Sequence, residues 1–324
     1  MENVKLTKAD KIILSHLEHD GRIAEKALAH HCRLSKDTIR YRMKRLEKLG
    51  IIRGYTSFVD YTKLGFESYK LYLKLSGTDE EIEGFKSYLK KHKNLFAIFD
   101  SYGNWTLALA IFTRTRKEYY ELENDIFSKF EHLILSKKFC NMVDAFFVNN
   151  GFFITGFEGP RTDIWNDPKD YVLDDIDRQI IIETHKDCKT TLVNLSEKTG
   201  LSIDAVRKRL KSLEDRKIIS FYQAAIDYAK LGFDHYKLFI YVKNYDEEVE
   251  NKIIYYLSKQ RYALNLIRIV GPWKLEVEFH VPSITRLEGI IKGLRNKFPD
   301  NIKDVEFYLL RNVELFACEN LLLA

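Results

Sequence analysis

Leu34-Ser35-Lys36-Asp37-Thr38-Ile39-Arg40-Tyr41-Arg42-Met43-Lys44-Arg45-Leu46-Glu47-Lys48-Leu49-Gly50-Ile51-Ile52 is the stretch from which the fold can be read. Ser35 is a good N-cap, because its hydroxyl can accept an orphan N–H of the first helical turn. Gly50 is a good C′ residue, free to take the left-handed conformation that ends a helix. Between them Ile39, Met43 and Leu46, spaced four and three apart, form one buried face. The stretch recurs. Leu201 to Ile219 carries Ser202 as cap and Val206, Leu210 and Leu213 as the apolar stripe. Lys217 replaces the stop glycine, which predicts a less well defined helix end.

The recurrence is wider than one helix. Sliding the chain by 167 positions aligns Leu6–Leu75 with Leu173–Val242 without a gap, and about 25 of the 70 pairs are identical. The matches cluster: Arg40-x-Arg42 with Arg207-x-Arg209, Asp60-Tyr61 with Asp227-Tyr228, and Lys63-Leu64-Gly65-Phe66 with Lys230-Leu231-Gly232-Phe233. Tyr69-Lys70-Leu71 matches Tyr236-Lys237-Leu238, and one inserted residue later Gly103-Asn104-Trp105 meets Gly271-Pro272-Trp273. The chain is a duplication, and its 324 residues are enough for more than one core.

Within each unit the apolar period changes from helical to alternating. Residues 6–50 read as three short helices. Strand patterns follow at Ile51-Ile52-x-x-Tyr55 and Tyr69–Leu75, then a helix (79–92), two strands about a Gly-Asn turn (95–101, 105–112), a helix (116–130) and a strand (137–148). The order β-α-β-β-α-β is the split βαβ of ferredoxin-like domains. The fold class expected is therefore α+β: two tandem units, each a winged helix-turn-helix head plus a ferredoxin-like βαββαβ domain. The expected boundaries are 1–55 and 56–148 for the first unit, 149–171 for a linker, and 172–222 and 223–324 for the second. Asn149, Gly151, Gly156, Gly159, Pro160 and Pro168 punctuate the linker, while its aromatics Phe152, Phe153, Phe157 and Trp165 suggest packing against a domain.

Composition narrows the function. Apolar residues at 45% and charged residues at 31% suit a folded chain and argue against disorder. No run approaches the ~18 apolar residues of a membrane span, and Met1-Glu2-Asn3-Val4-Lys5 leads into no secretory segment, so no membrane partner and a cytoplasmic location are expected. Cys32, Cys140, Cys188 and Cys318 lie far apart, indicating neither a disulfide framework nor a zinc ribbon. His16-x-x-His19 and His30-His31 lack a third ligand. With no phosphate-cradling loop and no nucleophile beside a base, no catalytic residue, metal or cofactor is expected.

Charge points to a partner. The whole chain carries +5, yet Arg33–Arg53 alone carries eight cations against Asp37 and Glu47. Gly200–Ser220 has six cations against three acids. Two helices joined by a tight turn, the second basic, form the arrangement whose second helix enters the major groove of double-stranded DNA. Lys36, Asp37, Arg40, Tyr41 and Lys44 lie off the apolar stripe; the early ones are placed for base edges, and Arg40 can grip guanine O6 and N7. Arg33, Lys48 and Arg53 suit phosphates. The second set is Ile203, Asp204, Arg207, Lys208 and Lys211; an Ile at the leading position cannot hydrogen-bond, so this head should read less and bind more weakly. Arg42 and Arg209 stand beside the stripe, where they either brace the fold through a carboxylate or touch DNA.

The run Leu34-Ser35-x-x-Thr38-Ile39-x-x-Arg42-Met43-x-x-Leu46-Glu47-x-x-Gly50-Ile51-Ile52, followed by a β-α-β-β-α-β body, resembles the Lrp/AsnC family of feast/famine transcription regulators. The resemblance covers nearly all of both units. It implies sequence-specific DNA binding, dimerisation through paired sheets and a ligand-sensing domain. The present chain then looks like two protomers fused into an intramolecular pseudo-dimer, and a homo-oligomer, dimer or higher, is expected. The family's effector domain carries Gly-Asp-x-Asp between its middle strands, and here Gly103-Asn104-Trp105-Thr106 and Gly271-Pro272-Trp273-Lys274 stand instead. Both acidic positions are missing, which removes the carboxylate an amino-acid ammonium needs. Gly103, Trp105, Gly271 and Trp273 then either line an aromatic pocket for another small-molecule effector or belong to the core. The same plan also resembles sirohaem decarboxylases, which hold propionates with an Arg/His cluster before a Gly-Phe strand start. Here that place keeps only Lys63 and Lys230. A sensing or assembly protein that has lost DNA binding is a third alternative.

Overall fold

The computed structural model describes residues 5–148, 152–157, 159, 161–165, 167–244, 246–316 and 319–322. Asn149, Gly151 and Pro160 of the expected linker, the first four residues and Cys318 lie outside the described residues.

The first head comprises α1 (Lys8–Leu17), α2 (Glu25–Cys32), α3 (Lys36–Lys48) and the wing strand β1 (Ile52–Val59). Ser35 caps α3 as the sequence requires, its hydroxyl accepting from the Thr38 N–H at 3.2 Å. Ile39, Met43 and Leu46 are buried with Ile13, Leu14, Leu17 and Leu28, so the three-helix arrangement follows from one shared apolar face. The second head repeats it as α6 (Asp175–Lys186), α7 (Leu192–Thr199), α8 (Ile203–Asp215) and β7 (Ile219–Ile226), with Ser202 capping α8.

Helix ends correct one expectation. At the end of α3, Gly50 takes φ +66° and the Ile51 N–H returns to the Leu46 carbonyl at 3.0 Å. At the end of α8, Lys217 takes φ +59° and the Ile218 N–H returns to the Leu213 carbonyl at the same 3.0 Å. The helix without its glycine is thus closed as sharply as the other, because the 6→1 bond outweighs the Cβ penalty of the left-handed region. The helix-turn-helix corners show the converse swap: Arg33 at φ +54° in the first head, Gly200 at φ +71° in the second.

The body of the first unit contributes β2 (Glu67–Leu75), α4 (Asp79–Leu89), β3 (Leu95–Tyr102), β4 (Leu107–Thr113), α5 (Arg116–Phe130) and β5 (Ile134–Phe147). A short strand, β6 (Thr162–Ile164), follows. The second body has β8 (Asp234–Val242), α9 (Glu247–Ser258), β9 (Ala263–Val270), β10 (Leu275–Val281), α10 (Ile284–Lys297) and β11 (Ile302–Leu315), with a final turn of helix, α11 (Glu319–Leu322). In-unit strand orders are β5-β2-β4-β3 and β11-β8-β10-β9, the ferredoxin-like order in both. Each half-sheet leaves two edges, and the other half pairs them: β3 with β11, β5 with β9. Eight strands therefore close on themselves, with β6 added outside β5.

The heads are joined in the same reciprocal way. β1 pairs antiparallel with β7, Tyr55 opposite Ala224 and Phe58 opposite Phe221. The Gly21 N–H donates to the Tyr222 carbonyl at 2.9 Å, and the Cys188 N–H to the Tyr55 carbonyl at 3.0 Å. These two bonds map onto each other under the repeat. A Cβ on Gly21 would lie 2.7 Å from the Gln223 backbone, so only glycine fits at that crossing.

The stretch read as a linker packs, in keeping with its aromatics. Phe152 and Phe153 are buried against the first head's core and reach Tyr228, while β6 extends the sheet. Its aromatics make burial more favourable than exposure, by about 1.5–3 kcal/mol for a fully buried Phe.

The cap geometry yields a direct expectation. Lys217→Gly should stabilise the protein by about 1 kcal/mol by relieving the left-handed strain, read as a higher urea midpoint at unchanged slope. An unchanged midpoint would show that the position carries no strain.

Candidate nucleic-acid interface

Lys36, Asp37, Arg40, Tyr41, Lys44 and Lys48 all stand exposed along α3, with Arg33 exposed at its approach. Ile203, Asp204, Arg207, Lys208 and Lys211 stand exposed along α8, Ile203 at 40%. Ridges of cationic side chains therefore face outward on both helices, opposite the buried stripes. Arg33, Lys44, Lys48, Lys208 and Lys211 make no ion pair among the described residues. Arg53 is set apart from this ridge: it is exposed on β1 and borders the cavity between the wing strands and the closed sheet.

The two arginines given the reading role differ. Arg40 is held by Glu25 of α2 through Nε at 3.2 Å and Nη2 at 2.8 Å, with Asp37 at 3.2 Å on its third nitrogen. Its guanidinium fork is thus occupied by a carboxylate, and the hydrogen bonds and ion pair with Glu25 raise its already high pKa. Among the described residues Arg207 pairs only with Asp204 one turn back, and Leu192 stands where the first head has Glu25. The head expected to be weaker has the less restrained arginine.

Arg42 and Arg209 prove to be braces. Arg42 donates to Thr7 Oγ1 at 2.9 Å and to the buried Asp10 carboxylate at 3.1 Å, tying α3 to the capping box of α1. Arg209 reaches Asp174 at 2.6 Å and Asp177 at 2.9 Å, the equivalent cap of α6. Burial raises the Asp10 pKa, but hydrogen bonds from Thr7 and Arg42 outweigh it and hold the group below its ordinary value.

The four residues named for an effector pocket sit elsewhere. Trp273 is 1% exposed, stacks on Phe239 at 3.8 Å and donates from Nε1 to Glu276 at 3.2 Å. Trp105 is buried beside Tyr72. Gly103 takes φ +136° at its turn, and Gly271 lies where an added Cβ would be 3.0 Å from Cys140 Sγ. Both tryptophans are core side chains, and none of the four lines the cavity under the ribbon.

What the sequence reading missed lies between the two half-sheets. Glu276 is fully buried and meets Lys70 Nζ at 2.5 Å, the Tyr72 hydroxyl at 2.5 Å and Lys237 Nζ at 3.5 Å. Lys237 also meets Glu278 at 2.8 Å, and Asn265 donates to Glu278 at 3.1 Å. Burial pushes Lys70 down to about 8, while two carboxylates keep Lys237 well above its ordinary value. Burial opposes ionisation of Glu276, but Lys70 and Lys237 win and lower its pKa. The lysines are repeat equivalents, whereas both glutamates come from β10; Ala108 and Ala110 stand at the matching places on β4. The signal was present as Glu276-Val277-Glu278, two acids on the face of β10 that also carries His280.

Beside that cluster a cavity of about 480 Å³ opens between the ribbon and the sheet, bounded by Phe58, Phe221, Trp165, Ala110, Lys70 and Glu278. Among the described residues no group of three or more His, Cys, Asp or Glu is placed to hold a metal ion, and no helix is long and apolar enough to cross a membrane.

Comparison with known proteins bears on the heads first. A model described as winged helix-turn-helix DNA-binding matches residues 6–53 and 173–220. The regulator LrpC of Bacillus subtilis is 32% identical over 92 residues, covering 28% of this chain and 63% of LrpC. An uncharacterized HTH-type transcriptional regulator of Pyrococcus furiosus is 25% identical over 115 residues, covering 36% of this chain and 77% of its own length.

The heads match a winged helix-turn-helix DNA-binding model, and the chain is similar to Lrp-type transcription regulators.

It is a DNA-binding transcription regulator of that type, two units long where these relatives match less than half of it. Over the whole chain its fold is similar to that of the sirohaem decarboxylase NirDL, with a TM-score of 0.64, 10% identity and coverage of 97% of this chain and 96% of that one. That likeness concerns the fold.

The buried cluster yields the expectation for this site. Glu276→Gln should destabilise the protein by roughly 3–5 kcal/mol, since it strands a buried ammonium, and Lys70→Met added to it should recover much of that loss. Chemical denaturation of both variants checks it; an additive double variant would show that the two groups are not coupled.

Proposed function

We propose that this Lrp/AsnC-type regulator binds its operators sequence-specifically as an intramolecular pseudo-dimer, with α3 and α8 entering successive major grooves of one duplex. The observation that carries this reading is the β1–β7 ribbon, which couples two serine-capped helices whose cationic faces are both outward. Symmetric helix-turn-helix readers set their recognition helices about one turn, ~34 Å, apart. Here the helices are unequal, Lys36, Arg40, Tyr41 and Lys44 against Ile203, Arg207, Lys208 and Lys211, so an imperfect palindrome is the matching site. Base contact by Arg40 requires exchange of Glu25 for guanine. Glu25 is therefore a competitor that favours a cognate base over bare phosphate.

A tetrapyrrole enzyme is the competing reading, favoured by the whole-chain likeness to NirDL, a protein solved also with an iron-uroporphyrin III analogue. Against it, Lys63 Nζ is committed to Asp167 at 3.2 Å and Lys230 Nζ to the Leu49 carbonyl at 3.1 Å. The lone lysine of each unit is thus spent on the fold and not left for propionates. Mixing with sirohaem should leave its absorption bands unshifted.

A duplex selected from random sequence tests the leading reading by titration over a salt series. Lys44→Ala and Lys211→Ala should each weaken binding and shallow the log–log salt slope by about one. Glu25→Ala should tighten binding to non-cognate duplex more than to the selected site. Loss of neither contact in either lysine variant would remove the helices from the groove.

A further inference from the structure

The wing ribbon covers a chamber that the DNA-binding heads do not use. At about 480 Å³ it has the size of a small-molecule site. The repeat is broken at its wall: Ala110 lines it on β4, while its equivalent on β10 is Glu278. Its roof is the cross-unit ring pair Phe58–Phe221, stacked at 5.0 Å with planes 7° apart.

Polar atoms on this wall include an unmet hydroxyl and an unmet indole N–H. Ser57 Oγ and Trp165 Nε1 are both buried, and neither has a hydrogen-bond partner. Ser57 is 1% and Trp165 is 9% exposed. A buried N–H without an acceptor keeps its desolvation penalty, and Trp165 carries a second cost, a left-handed backbone at φ +62°. Its conformation is held by design: its backbone N–H donates to the buried Asp60 carboxylate at 3.1 Å, and Phe58 and Phe112 lie 6.0 and 6.1 Å from its ring. Strain and an unmet donor kept together at a cavity wall are the signature of a ligand position.

The wall also says what charge the ligand has. Its buried ions are already neutralised, Lys70 by Glu276 and Glu278 by Lys237, the His185 ring lies on the Ser57 carbonyl at 2.9 Å, and Arg53 borders the cavity from an exposed place on β1. What remains unmet is a neutral N–H and a hydroxyl among aromatic rings. A carboxylate among these buried groups would meet Glu278, and the buried lysines are already paired.

We propose that this chamber binds an uncharged aromatic compound bearing a carbonyl-type oxygen, which accepts from Trp165 Nε1 and Ser57 Oγ while its rings pack under Phe58 and Phe221. The occupant touches the ribbon that couples α3 to α8, so it acts as the effector of the regulator. That consequence rests on the DNA-binding reading; the binding itself does not.

The test uses the full chain without DNA. The fluorescent aromatic ketone prodan is titrated into it, then displaced by 2-acetylnaphthalene, 2-ethylnaphthalene, 2-naphthoate and uroporphyrin III. The expected result is a saturable blue-shifted emission, displaced about fivefold more tightly by the ketone than by the ethyl compound, the worth of one hydrogen bond of ~1 kcal/mol. Trp165→Phe should erase that fivefold preference while leaving 2-ethylnaphthalene displacement intact, which also reports that the variant is folded. Ser57→Ala should narrow the preference independently. The proposal is overturned by absence of saturable binding, by equal displacement by ketone and hydrocarbon in the parent chain, or by a preference that survives both substitutions. Tighter displacement by naphthoate or uroporphyrin III overturns it too, making the chamber an anion site. Loss of operator binding with ketone preference retained would defeat only the regulator reading.

Discussion

Unpaired strand edges are the constraint on which the rest of this molecule depends. A four-stranded βαββαβ sheet ends in two rows of unsatisfied N–H and C=O groups, which must be covered, paired or exposed at risk of aggregation. Here each half supplies what the other lacks. β3 meets β11, β5 meets β9, and the wing strands β1 and β7 meet above them. Closure fixes the position of one half against the other, and through the ribbon it fixes the heads.

Duplication then permits what two identical chains could not do. Identical protomers would place either two glutamates or two alanines at the equivalents of Ala108/Glu276 and Ala110/Glu278. Fusion frees the positions to diverge, so two buried lysines share a pair of glutamates from one half only, and space is left on the other side. The caps diverge too, with Arg33 and Lys217 strained where their counterparts are glycines. Each left-handed cation is exposed close to an end of its unit's basic helix.

Much of this was legible in the residues. The serine caps, the apolar stripes at four and three, and the strand alternation each reflect local physics, and the helices and ferredoxin-like order follow from them. The repeat was legible because Lys63-Leu64-Gly65-Phe66 and its copy hold the same turn. The candidate site was legible as a set of exposed residues but not as a set of contacts. That Glu25 occupies Arg40, or that Asp10 and Asp174 anchor Arg42 and Arg209, depends on how helices distant in sequence cross. Edge pairing between halves was equally hidden, since strand pattern gives which face is buried but not which neighbour is met. The chamber was the least legible part: it is made by a small residue, Ala110, and by Trp165, in a stretch whose punctuation reads as a connector.

The central claim is that two unequal helices of one chain read one duplex together. Hydroxyl-radical footprinting of the protein on a selected duplex tests it most directly. The account predicts two protected patches on the same face of the DNA, about one helical turn apart, of unequal strength. A single patch, or two patches of which one appears only when a second copy of the chain binds, would contradict it.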